Sequence, residues 1–289
     1  MTIGTACATW FDGRWNEGNT PVLGAADHGA WLGTMVFDGA RSFEGVVPDL
    51  DLHCGRVVRS AEIMGMKAPL ESGEIEELIL EGVDRFENET ALYLRPMIWS
   101  REGLANLIEP NPEETALAIC LEALPLAGLG DVALTLSPFR RPPPDAALNE
   151  AKASCHYANN ARVIRDARQR GFANGISLDQ EGHVAETGST NLFIVRDGVV
   201  ETPAPNGTFL NGITRQRVIG LLRDDGVDVR EVSLTPGDLT EADEMFVTGN
   251  ANKVTPVTRY EQKQFSGTAM GQRARNLYWE FSHQTRSAA

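Results

Sequence analysis

Apolar and polar positions switch between two spacings along the chain, and the switches mark its elements. ATWFDGRWNEG sets Asp12-Gly13 between aromatic-rich runs, the signal of a two-residue hairpin, and MVFDGARSFEG (35–45) repeats the signal around Asp38-Gly39. Apolar residues at Leu52, Val57, Ala61 and Met64 predict a helix over 50–66 that Gly65 ends. GEIEELILEGVDRF (73–86) predicts a second helix, acidic at its start as the helix dipole favours. ALYLRPMIWS (91–100) and ALAICLEAL (116–124) read as buried strands.

Between Pro125 and Pro144 the pattern lapses. PLAGLGD is small and flexible, and RRPPPD (140–145) cannot continue a helix or a central strand. Residues 150–171 then predict a helix with Gly171 as its C-cap. Strands follow in GISLD, HVAET, NLFIV and VVETP, with a hairpin turn at Asp197-Gly198. A helix over 212–226, a strand over 244–250 and a closing helix over 268–284 complete the chain. No repeat of solenoid period is present. Strands in hairpins rather than in regular β-α-β alternation make the class α+β. The expected organisation is a smaller N-terminal α/β domain (1–122), a linker (123–132) and a larger C-terminal domain (133–289).

Charge narrows the function classes. With 26 Lys+Arg against 40 Asp+Glu, the formal charge is −14, the wrong sign for a nucleic-acid binder or a polybasic membrane-surface protein. Four scattered cysteines without a C-x-x-C pair, and no clustered histidines, argue against a disulfide framework and a zinc site. No signal-peptide pattern and no apolar run of about 18 residues occur. The expectation is a reducing, cytoplasmic setting with no metal, no nucleic acid and no membrane. No lysine follows a glycine, which excludes a Walker A loop, and G-x-S-x-G and H-E-x-x-H are also missing.

Within the basic count lies a sharper constraint. Only Lys67, Lys152, Lys253 and Lys263 are lysines, so chemistry that needs an amine nucleophile has four candidates. Lys152 stands among small neighbours in EAKASCHY, five residues before Tyr157; its ordinary role would be an exposed helix residue. Glu186 ends a short strand, and Thr214 opens a helix after Asn211-Gly212, where free N–H groups and a hydroxyl also suit a phosphate.

Taken in order, VFDGAR (36–41), LHCGRVVRSA (52–61), YLRP (93–96), K-x-x-x-x-Y (152–157), ETGSTNLFIV (186–195), NGITR (211–215) and TGNANKVTPV (248–257) make a longer pattern. In it the chain resembles the fold-type IV pyridoxal-phosphate-dependent aminotransferases, and most closely the branched-chain amino acid group. The resemblance implies their two-domain fold, pyridoxal 5'-phosphate as cofactor, and amino and 2-oxo acids as substrates. It also implies a homodimer or higher homo-oligomer. By the same resemblance Lys152 is the catalytic residue that binds the cofactor aldehyde covalently and shuttles a proton, its amine pKa depressed by desolvation.

Tyr157 then faces the cofactor's phenolic oxygen and Glu186 its pyridine nitrogen. Arg56, Ile213, Thr214 and Asn250 hold the phosphate. Asn250 stands where many relatives carry a threonine. Tyr93, Arg95, Asn250 and Ala251 orient the substrate carboxylate, and Phe37 walls the side-chain pocket. The implied reaction is ping-pong transfer from a branched-chain L-amino acid to 2-oxoglutarate. D-amino acid transaminase, (R)-amine transaminase and aminodeoxychorismate lyase share the fold and stay open, as does a non-catalytic cofactor-binding protein. Two departures touch the substrate pocket: VFDGAR replaces the commoner VFEGIR, and Ala30-Trp31-Leu32 lacks a tyrosine common in relatives.

Overall fold

A computed structural model describes residues 6–126, 128 and 130–284. Two compact units divide the chain: residues 1–126 with 151–156, and residues 127–150 with 157–289. Of the linker expected at 123–132, Ala127 and Leu129 lie outside the described residues, as do residues 1–5 of the N-terminal domain and 285–289 of the C-terminal one.

The first unit contains strands β1 (Cys7–Phe11), β2 (Arg14–Glu17), β3 (Met35–Phe37), β4 (Ala40–Ser42), β5 (Leu92–Ser100) and β6 (Thr115–Ala123). Its helices are α1 (His28–Trp31), α2 (Leu50–Ile63) and α3 (Ser72–Val83). One sheet runs β2-β1-β6-β5-β3, with β4 also on β5. Asp12-Gly13 closes β1 onto β2 with both residues at positive φ (49° and 77°), as a tight hairpin turn requires.

Asp38-Gly39 does not repeat that turn, contrary to its sequence signal. Phe37 stands opposite Met97 and Ala40 opposite Leu94, a single unbroken register along β5. The Asp38 amide donates to the Pro96 carbonyl at 3.0 Å, but Pro96 has no N–H to return, so the ladder lapses there. Gly39 serves close approach instead: a Cβ there would lie 2.3 Å from the Tyr93 hydroxyl.

On one face of this sheet, Val36, Ala40, Leu94 and Ile98 pack with Val57 and Ala61 of α2. The buried side of α2 is shifted from the expected apolar stripe: Leu52 is exposed, while His53 and Arg56 are buried.

The second unit adds β7 (Ala133–Leu136), α4 (Tyr157–Gln169), β8 (Asn174–Leu178), β9 (Val184–Thr187), β10 (Asn191–Arg196) and β11 (Val199–Pro203). It continues with α5 (Ile213–Asp224), β12 (Val229–Val232), α6 (Pro236–Glu241), β13 (Glu244–Gly249), β14 (Lys253–Val257), β15 (Arg259–Tyr260), β16 (Lys263–Gln264) and α7 (Ala269–Gln284). Its two sheets run β12-β11-β10-β13-β14 and β16-β15-β7-β8-β9.

LFIV (192–195) is apolar throughout because β10 is covered on both faces. Leu192 and Ile194 pack with Leu134 and Ile176 of the other sheet, while Phe193 and Val195 pack with Val218 of α5 and Tyr278 of α7.

The helix expected over 150–171 begins only at Tyr157; Ser154–His156 form a 3-10 turn. Residues 152–153 are extended because other segments claim their backbone. Ala153 bridges Val36, the Lys152 carbonyl accepts from the Phe37 amide at 3.1 Å, and the Lys152 amide donates to Ser60 Oγ at 3.1 Å. Among the described residues no helix is long and apolar enough to cross a membrane.

Candidate active site

In the first unit, strand alternation sorts the predicted residues onto one face. Phe37 pairs with Met97, Arg41 with Tyr93, and Arg95 with Cys120, so these side chains share the face opposite α2. Arg95 donates from Nη2 to Glu122 Oε2 at 3.1 Å and lays its guanidinium 4.9 Å from the Tyr93 ring centre. Lys152 Nζ lies 5.0 Å from the centre of the Phe37 ring. Ala151 and Ala153 beside it are buried, so the amine projects from a segment fixed at its backbone.

Arg41 adds a cation that the sequence reading passed over. It is 1% exposed and donates from Nη2 to the Leu124 carbonyl, and burial pushes its guanidinium down to about 10 against the opposing pull of Tyr93. It is still a cation at neutral pH.

Opposite lies a second constellation. Asp38 shares the buried face of Val36 and Ala40 and points at α2. Arg56 Nε and Nη2 donate to its two oxygens at 2.6 and 2.8 Å, a side-on fork, and His53 Nδ1 lies 2.7 Å from Oδ1. Burial alone would raise the Asp38 carboxyl; the guanidinium and the bonds from both partners outweigh it and hold the acid well below the usual carboxylate range. This residue, expected to border a substrate pocket, instead grips Arg56. An acid at an inward position of an apolar strand was the available signal.

In the second unit Glu186, on β9, is 8% exposed and has Arg141 Nε 3.4 Å from Oε1. Arg141 is braced by the scaffold: Nε donates to the Thr208 carbonyl at 3.0 Å and Nη1 to Asn160 Oδ1 at 2.8 Å. It lies directly before Pro142, in the proline-rich loop, where a following proline disfavours helical backbone. Tyr157, at the start of α4, is 37% exposed.

Helix α5 starts with Ile213 and Thr214 buried, and its N-cap, Gly212, provides no side-chain acceptor. Its first N–H groups therefore suit an external anion. The glycine is needed for space: a Cβ at 212 would meet Asn191 Oδ1 at 2.2 Å. Asn191 also donates Nδ2 to the Leu210 carbonyl and pairs with Thr248 of β13, the strand that leads into Asn250 and Ala251. Thus Ile213, Thr214 and Asn250 gather at one sheet end around Asn191. Asp179, Glu181 and His183 also converge within 4.8 Å, but Asp179 already accepts from the His183 amide in its own turn and from Asn206 Nδ2 of a distant loop.

Comparison with known proteins places the chain in a wider set. Residues 35–260 match the family model described as amino-transferase class IV. An aminotransferase from Brucella abortus, crystallised with the cofactor PLP, is 47% identical with a TM-score of 0.95, covering 96% of this chain and 99% of that one. The branched-chain aminotransferase of Thermoproteus uzoniensis, crystallised with norvaline, is 29% identical with a TM-score of 0.85 over 94% and 93% of the two chains. The branched-chain-amino-acid aminotransferase of Salmonella typhimurium is 34% identical over 272 residues, 89% of this chain and 86% of that one.

Proposed function

The chain belongs to the class IV amino-transferases, and from that premise we propose that it transfers the amino group of branched-chain L-amino acids to a 2-oxo acid such as 2-oxoglutarate, by a ping-pong cycle. It is a pyridoxal-phosphate-dependent enzyme of fold type IV. The observation that carries the substrate reading is one sheet face holding an amine beside an aromatic wall, Lys152 over Phe37, and the pair Tyr93 and Arg95. An amino acid with an apolar side chain offers the matching groups: a carboxylate for Arg95 and Tyr93, and a hydrocarbon for Phe37.

The residues also fit the cofactor. Asn250 Nδ2 is buried and has no hydrogen-bond partner among the described residues, and the uncapped start of α5 presents further donors. When bound, pyridoxal phosphate supplies an electron sink for charge that develops at the substrate Cα. Lys152 would hold it covalently and move the Cα proton at Nζ. Glu186 would accept a hydrogen bond from the pyridine N–H, with Arg141 stabilising the Glu186 carboxylate. Tyr157 would donate toward the phenolic oxygen. Arg56, held by Asp38, would bind the phosphate with Ile213, Thr214 and Asn250. Arg95, Tyr93 and the Asn250–Ala251 turn would orient the substrate carboxylate.

The test is a donor panel of L-leucine, L-glutamate, D-alanine and (R)-1-phenylethylamine, read by loss of cofactor absorbance near ~420 nm. L-leucine and L-glutamate should both bleach it. Bleaching by D-alanine or the amine alone would overturn the branched-chain reading. Homodimer formation and a cytoplasmic location belong to the same proposal, and sedimentation velocity checks the first.

A further inference from the structure

Asn250, Ala251 and Asn252 form the turn between β13 and β14, across which Gly249 pairs with Lys253. Lys253 is unusual twice over: its φ of 61° lies in the left-handed region, and the residue is 1% exposed. Its Nζ donates to Asn250 Oδ1 at 2.8 Å and sits 5.6 Å from the centre of the Tyr278 ring. An ammonium can only donate, so the amide must turn its oxygen to Lys253 and its nitrogen away. That nitrogen, Nδ2, is the buried atom without a partner among the described residues.

We propose that Lys253 is a positioning residue that fixes the Asn250 amide as a hydrogen-bond donor to the cofactor's phosphate. The proposal rests on the cofactor reading above. A hydroxyl rotates to suit its acceptor and needs no orienting partner. An amide has two unlike ends, and a wrong flip would present an oxygen to an anion. Lys253 removes that choice, and its backbone geometry keeps the amine beneath the turn. The surroundings suit an anion: Asn191 links this corner to the uncapped start of α5, through its pairing with Thr248 and its contact at Gly212.

The experiment titrates apoprotein with pyridoxal phosphate and, separately, with pyridoxal, which lacks the phosphate, following the covalent chromophore. Lys253→Met should weaken pyridoxal phosphate about tenfold, the scale of one hydrogen bond to a charged group, and leave pyridoxal unchanged. Lys253→Gln, which can still donate to Asn250, should recover most of that loss. Asn250→Asp should weaken the phosphorylated compound more than Lys253→Met does, and it carries the test alone should Lys253→Met not fold. Equal losses for both compounds, or unchanged pyridoxal phosphate affinity in a folded Lys253→Met protein, overturn the proposal. A wild-type protein that binds neither compound overturns the cofactor reading, and the proposal with it.

Discussion

Asp38 with Arg56 and Glu186 with Arg141 are both buried carboxylate–guanidinium pairs, one in each unit, yet they are assembled in opposite senses. Asp38 is wholly buried and receives two short bonds from Arg56 and a third contact from His53. The carboxylate is committed to holding the arginine. Arg141 instead gives its short bonds to Thr208 and Asn160 and meets Glu186 at a looser 3.4 Å. There the scaffold holds the arginine, and under the proposed function its charge would steady the Glu186 carboxylate facing the cofactor. A buried ion pair thus does not reveal which partner works; the remaining bonds of each partner do.

The largest expected effect is on the tight pair. Asp38→Asn leaves a buried guanidinium without its counter-charge, and urea unfolding should show a loss of about 3–5 kcal/mol. A loss below about 1 kcal/mol would erase the contrast, since that is the range of exposed pairs. Next comes Glu186→Gln, which should keep most of the stability but slow the half-reaction with L-leucine on the order of 10²-fold in stopped-flow bleaching, as a lost preorganised electrostatic contact does. Arg141→Lys should cost turnover about tenfold, roughly 1.4 kcal/mol, because a point charge replaces a braced fork.

Acid gives a further test. The folded-state acidity of Asp38 is strengthened, so its contribution to stability is fully present above the unfolded carboxyl value of about 3.9 and is lost as pH falls through the lower folded value. The stability gap between wild type and Asp38→Asn should be flat above about pH 5 and narrow below about pH 4 in pH-dependent urea unfolding. Smallest is Glu122→Gln, which frees Arg95 from a part-exposed pair: at most about 1 kcal/mol, seen as a raised KM for the amino donor.

Legibility differed by the range of the interaction. Asp12-Gly13 and Asp197-Gly198 are turns, with φ of 49° and 77° in one and 49° and 78° in the other, as their local signal predicts. Asp38-Gly39 carries the same signal, but the chain keeps one register along β5 across it, with Tyr93 against the glycine and Arg56 on the acid. Lys152 was legible as a candidate through the scarcity of lysine and the tyrosine five residues on. Its extended backbone was not, because Phe37 and Ser60, far away in sequence, supply the bonds that displace the helix. Arg141 and Arg41 were missed for a similar reason: each is defined by partners in other segments.

By itself the sequence determined the α+β class, most strands and helices, the short list of amines, and the ordered motifs that mark an aminotransferase. These depend on side-chain period, turn chemistry and residue identity, which act over a few neighbours. Only the tertiary structure decided which carboxylate clamps which arginine, where a helix gives way to extended backbone, and which end of Asn250 points outward. Those choices follow from hydrogen-bond accounting in buried surroundings, where each donor must find an acceptor that the folded chain alone can bring near.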